Sequence, residues 1–87
     1  MVTYCAEVVI RIRSAVSDGE LQKRVDDSIA EFERRSAAHI ASYILNMIVT
    51  LQAALEDDET PDAIRHNMRK AMELFRAYNR LYQASPF

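Results

Sequence analysis

The apolar positions of the chain fall into three periodic runs separated by two short polar breaks. In the first run Cys5, Val9, Ile12 and Val16 recur at helical spacing, although Val8-Val9-Ile10-Arg11-Ile12-Arg13 is β-branched and partly alternating, as an edge strand would be. A lone strand in an otherwise helical chain would need a partner strand from another molecule, so the helical reading is preferred. In the second run Leu21, Val25, Ile29 and Phe32 form one narrow stripe among charges. Past residue 36 that stripe continues through Ile40, Tyr43, Met47 and Leu51. A second apolar face opens beside it at Ile44, Ile48 and Leu55, widening to Ala37, Ala41 and Leu45. In the third run Ile64, Met68, Ala71, Phe75, Tyr78 and Tyr82 repeat at four-three spacing, with Met72, Leu74 and Leu81 widening the face.

The punctuation agrees with these runs. The only glycine is Gly19 and the only prolines are Pro61 and Pro86. Ser17-Asp18-Gly19-Glu20 has the spacing of a capping box. Thr60-Pro61-Asp62 reads as a second helix start, with Pro61 at a position where a missing N–H costs nothing and Asp62 near the positive helix end. The pattern therefore predicts an all-α fold in one domain, residues 1–87, with helices over about 2–16, 20–56 and 61–83. As a straight rod the central helix would be about 55 Å long. The first helix should fold back over its first half and the third over its second, since short turns make neighbours antiparallel.

Composition limits what can stabilise such a chain. At 87 residues a small domain keeps a large share of its surface in water and commonly needs a disulfide, a metal or an oligomer partner. Cys5 is the sole cysteine, and one Cys with His39 and His66 cannot fill a structural zinc shell. Oligomerisation remains. Two copies are expected to close a dimeric helical bundle through Ile40, Tyr43, Ile44, Met47, Ile48, Leu51, Leu55, Phe75 and Tyr78. The lone cysteine and the lack of a signal-peptide pattern at the N-terminus point to a cytoplasmic protein.

Charge is unevenly placed. The net charge is −2, but residues 1–19 balance, residues 20–59 carry nine acids against four bases, and residues 60–87 carry two acids against five bases. Between them, residues 36–55 hold no charged side chain at all, long enough for a bilayer span. Their polar members Ser36, His39, Ser42, Asn46 and Thr50 gather on roughly a third of the circumference, the pattern of a wide-faced amphipathic helix, so no membrane span is expected. That polar edge faces solvent or, inside an interface, fixes register.

Candidate chemistry is sparse. Arg65, Arg69, Arg76 and Arg80 fall within about 60° on the third helix and could grip the carboxylates of an acidic partner or phosphates. The overall acidity argues against a dedicated nucleic-acid binder. A ribbon-helix-helix repressor would present Arg11 and Arg13 from a paired strand, but the following helix is too long for that layout. Arg34 and His39 match the Arg-x4-His spacing seen in small helical ribonucleases, yet such a pair recurs by chance and no second polar cluster orients it. No glycine-rich phosphate loop exists, and Glu56-Asp57-Asp58-Glu59 lacks the spacing and glycine of a calcium loop. The sequence thus implies no catalytic set, no cofactor and no metal. The expected function is a homodimeric protein-binding adaptor, inhibitor or chaperone-like regulator holding a protein partner. The alternatives are a nucleic-acid-binding regulator using the arginine stripe and a small helical ribonuclease.

Overall fold

The computed structural model describes residues 2–83, and every element among them is helical. Helix α1 spans Val2–Arg13, α2 Asp18–Ser36, α3 Ile40–Leu55 and α4 Asp62–Gln83, with a single 3₁₀ turn at Ala37–His39 between α2 and α3. The first segment is helix and not strand. The Ser17 hydroxyl accepts the Glu20 N–H at 3.1 Å, as the expected box requires, while the Glu20 carboxylate reaches back one residue further than the box would have it, to the Val16 N–H at 3.4 Å.

The predicted central helix is present as a helical run over residues 18–55, but it is bent. Ser36 leaves the helical region at φ −157° and ψ 69°, and its hydroxyl lies 2.8 Å from His39 Nδ1, a local side-chain contact that competes with the regular backbone ladder. A straight run over these residues would be about 57 Å long, whereas the whole chain measures 41 Å in its longest direction. The bend brings its two arms together. The Phe32 and Tyr43 rings stack with centroids 4.6 Å apart and planes 10° apart.

This bend changes where the second apolar face of α3 goes. In a straight rod it would await another molecule; here α1, α2 and α4 all pack against α3. Ile44 is buried and Ile48 and Leu55 are half-buried, while Ala37, Ala41 and Leu45 stay exposed. The core is one cluster: Cys5, Val8 and Ile12 from α1, Leu21, Val25, Ile29 and Phe32 from α2, Ile40, Tyr43, Ile44, Met47 and Leu51 from α3, and Met68, Ala71 and Phe75 from α4. Each large side chain removed from water there contributes on the order of 1.5–3 kcal/mol.

The inward register of α1 differs from the expected one. Val8 and Ala15 are buried, Val9 is half-buried, and Val16 is 87% exposed. The helix stops at Arg13, three residues short of its predicted end, and an α4 side chain completes it. Asn67 Nδ2 donates to the Ala15 carbonyl at 2.9 Å and to the Arg13 carbonyl at 3.4 Å. Terminal carbonyls that no longer have helical partners are thereby satisfied from across the fold.

Candidate functional site: an arginine face beside an apolar cleft

The structure places Ile40, Tyr43, Ile44, Met47, Leu51 and Phe75, expected at a chain–chain interface, in the core of the single chain, with Ile48, Leu55 and Tyr78 half-buried at its edge. The single chain buries them, α4 together with α1 and α2 packing against α3. The exposed surface lies elsewhere.

Helix α4 carries the clearest of it. Arg69, Arg76 and Arg80 are exposed, and among the described residues none has a carboxylate within 4.0 Å. Arg65, at the start of the same stripe, is half-buried and donates to the Asp57 carbonyl at 2.7 Å, which ties the loop before α4 to the helix. Arg69, Arg76 and Arg80 extend over about 16 Å of helix.

The acids that might have neutralised them are engaged by tyrosines. The Tyr78 hydroxyl donates to Asp26 at 2.6 Å, the Tyr82 hydroxyl donates to Glu33, and His66 meets Asp18 at 2.9 Å. Numbers rise together along both helices, so α2 and α4 run in the same direction. Burial, and then the hydrogen bond to Asp26, push the Tyr78 hydroxyl up to about 12; for Tyr82 the Glu33 carboxylate comes first and burial second, again to about 12. These contacts fix the rotation of α4 so that its arginines face away from α2.

Next to the arginines, between α4 and α2, runs an apolar cleft of about 310 Å³ lined by Leu74, Ala77, Leu81, Tyr78, Gln22 and Asp26. Leu81 is 68% exposed at its mouth. Around the helix Ala77 stands about 60° from Arg80, so the cleft and the guanidinium stripe form adjoining strips of one surface. Glu73 lies beside the stripe, and Asp62 precedes it, which gives the basic strip acidic borders.

The remaining polar features are arranged differently. His39 is exposed at the bend, oriented by Ser36, while the neighbouring guanidinium groups are engaged: Arg34 pairs with Glu31, and Arg35 Nε lies 3.0 Å from Glu31 with its guanidinium 5.6 Å from the Tyr4 ring centre. A cleft of about 400 Å³ between α1 and α2 is lined by Arg11, Arg34 and Arg35 together with Glu7, Asp27 and Glu31, so its charges balance. His39, Ser42, Asn46 and Thr50 are all exposed within the chain. Burial raises the Cys5 thiol, which lies inside the core. Among the described residues no three His, Cys, Asp or Glu side chains are placed to hold a metal ion. The run over residues 18–55 contains a window apolar enough to cross a bilayer, but the uninterrupted helix α3 is only about 24 Å long, short of a ~30 Å hydrocarbon core.

Sequence reasoning found the arginine stripe and the apolar face beside it, Leu74, Tyr78, Leu81 and Tyr82, and missed the pairing of the two tyrosines with Asp26 and Glu33. Tyr78 and Tyr82 are four apart and Asp26 and Glu33 seven apart, spacings that place each pair along one helix face; that was the available signal. The chain matches no protein-family model, no curated protein and no solved structure with which it was compared.

Proposed function

We propose that the protein is a non-catalytic binding module that holds an acidic, amphipathic segment of a protein partner along α4, as an adaptor, inhibitor or chaperone-like regulator would. The observation that carries this reading is the trio Arg69, Arg76 and Arg80, exposed and without carboxylate partners among the described residues, beside the Leu74–Ala77–Leu81 cleft. Guanidinium groups bind carboxylates bidentately, and an apolar strip next to them adds the area that charge alone does not supply. A partner helix with acids on one edge and leucine-type residues on the next would satisfy both strips at once.

Two features favour a protein over a nucleic acid. The basic strip is narrow and bordered by Asp62 and Glu73, and the α2 side of the adjoining cleft carries Asp26, all of which would repel a polyanion. Moreover, a phosphate backbone has no use for the apolar cleft.

The test is fluorescence anisotropy with a labelled helical peptide carrying glutamates and leucines at i, i+4 positions, run against a scrambled peptide and a single-stranded oligonucleotide. The ordered peptide should bind the native protein and lose at least tenfold in affinity against an Arg69→Ala, Arg76→Ala, Arg80→Ala variant. Leu81→Asp should weaken it comparably. Tighter binding of the oligonucleotide, falling steeply with salt, would replace this reading with the nucleic-acid one.

A further inference from the structure

A second surface, on the outside of α3, differs from the rest of the chain in carrying no charge. Ala41, Ser42, Leu45, Val49, Gln52 and Ala53 are all exposed there, Leu45 at 44% and Val49 at 65%. In a chain with 28% charged residues, a solvent-facing helix side of this length would ordinarily be charged. An exposed apolar strip with small residues on either side is what a close helix–helix contact requires.

The charges that flank α3 are informative about the partner. Arg34 and Arg35 precede the helix, and Glu56, Asp57, Asp58 and Glu59 follow it, while its first turn has no acid and its last turn no base. That order is the reverse of what the helix macrodipole favours, since anions stabilise the N-terminal end and cations the C-terminal end. A second α3 laid antiparallel would bring the acids that follow each helix to the N-terminal end of the other, which has no acid of its own; Arg34 and Arg35 are already paired with Glu31 within each chain.

The sequence of the strip is also self-complementary in that orientation. With a two-fold axis level with residue 47, Leu45 meets Val49 of the second copy, Ala41 meets its Ala53, and Ser42 meets its Gln52. Such an isologous contact closes on itself and does not propagate. The cleft of about 230 Å³ between α1 and α3, lined by Cys5, Ala6, Asn46 and Thr50, adjoins the strip. Ile10, 65% exposed, stands one turn along α1 from Ala6 and extends the apolar surface.

From this charge order and residue match we infer that two copies of the chain pair antiparallel across the outer face of α3. The contact is independent of the α4 surface, so loss of one leaves the other intact. Sedimentation equilibrium of the full chain from low micromolar to several hundred micromolar should show a mass rising toward twice 10.0 kDa. Leu45→Asp with Val49→Asp should weaken association at least tenfold, with the melting temperature of the monomer retained because both side chains are exposed.

Orientation is read by oxidation in a Cys5→Ser background. A mixture of Ala41→Cys and Ala53→Cys chains should cross-link, while either alone should not, because like positions lie about 18 Å apart along the axis in the antiparallel pair. A monomer at all concentrations, or cross-linking of each variant alone, overturns the inference. So does association with phosphatidylcholine vesicles in place of self-association, which would make the strip a lipid-facing surface.

Discussion

The Tyr43 hydroxyl of α3 donates to Ser28 Oγ of α2 at 2.9 Å across a separation of fifteen residues. In an unbroken helix the two positions would lie about 22 Å apart. Their contact is therefore a direct record of the bend at Ser36. Ser28 is buried and joins a third helix as well: its own hydroxyl donates to the Val25 carbonyl at 2.8 Å, while the Tyr4 hydroxyl of α1 donates to the Ser28 carbonyl at 3.0 Å. We expect Tyr43→Phe to lower unfolding free energy by about 1 kcal/mol, the net worth of one such bond, and Ser28→Ala to cost about 1–3 kcal/mol by leaving the Tyr43 hydroxyl buried without a partner. In urea unfolding the double variant should cost less than the sum of the two, because they share one interaction.

Asn67 holds the end of α1 from α4, donating to the Ala15 carbonyl at 2.9 Å. Asn67→Ala is expected to destabilise by about 1–2 kcal/mol. Amide exchange should show the loss concentrated at the C-terminal turn of α1, with α3 protection changed only by the global shift. A uniform increase across all helices would contradict the capping role.

The tyrosine–carboxylate contacts between α4 and α2 make stability pH-dependent in the alkaline range. Tyr78 and Tyr82 titrate at about 12 in the fold, above the ordinary value of 10.0, so the folded chain retains these protons after the unfolded chain has released them. Their contribution is complete below pH 10 and declines as pH rises from about 10 to 12. Chemical denaturation across that range should show a fall that becomes shallower, without vanishing, in a Tyr78→Phe, Tyr82→Phe variant. Burial raises the Tyr43 hydroxyl further, so it adds to the same loss.

Much of this was legible in the residue pattern. The three helical segments and the stripe Leu21, Val25, Ile29, Phe32, Ile40, Tyr43, Met47, Leu51 follow from 3.6-residue periodicity, and all eight stripe residues are buried; the Ser17 cap was signalled by its residue type and position. Periodicity cannot register a bend. Ser36 carries no proline or glycine warning, and the helical phase resumes beyond it, so an apolar surplus at Ile44 that the bend covers within the chain reads as surface for a second copy. Asn67 and the two tyrosine–carboxylate pairs are long-range partners whose identity depends on how α4 is rotated. The arginine stripe was visible by spacing; that it remained unpaired depended on Tyr78 and Tyr82 taking Asp26 and Glu33.

The arginine face should be dispensable for folding. Exposed substitutions away from caps and buried networks change stability by about 0.5 kcal/mol or less each. Circular dichroism melts of the Arg69→Ala, Arg76→Ala, Arg80→Ala variant should therefore lie close to those of the native chain, and lost binding can be read as lost contacts. A large drop in melting temperature would show that these side chains support the fold.

The binding role of α4 is tested most directly by ¹⁵N–¹H chemical-shift mapping of the full-length chain titrated with the acidic amphipathic peptide. Perturbations are expected along Arg69, Glu73, Arg76, Ala77, Arg80 and Leu81, with the charge-balanced cleft between α1 and α2 unaffected. Shifts concentrated at Arg11, Arg34 and Arg35, or none at saturating peptide, would contradict the assignment.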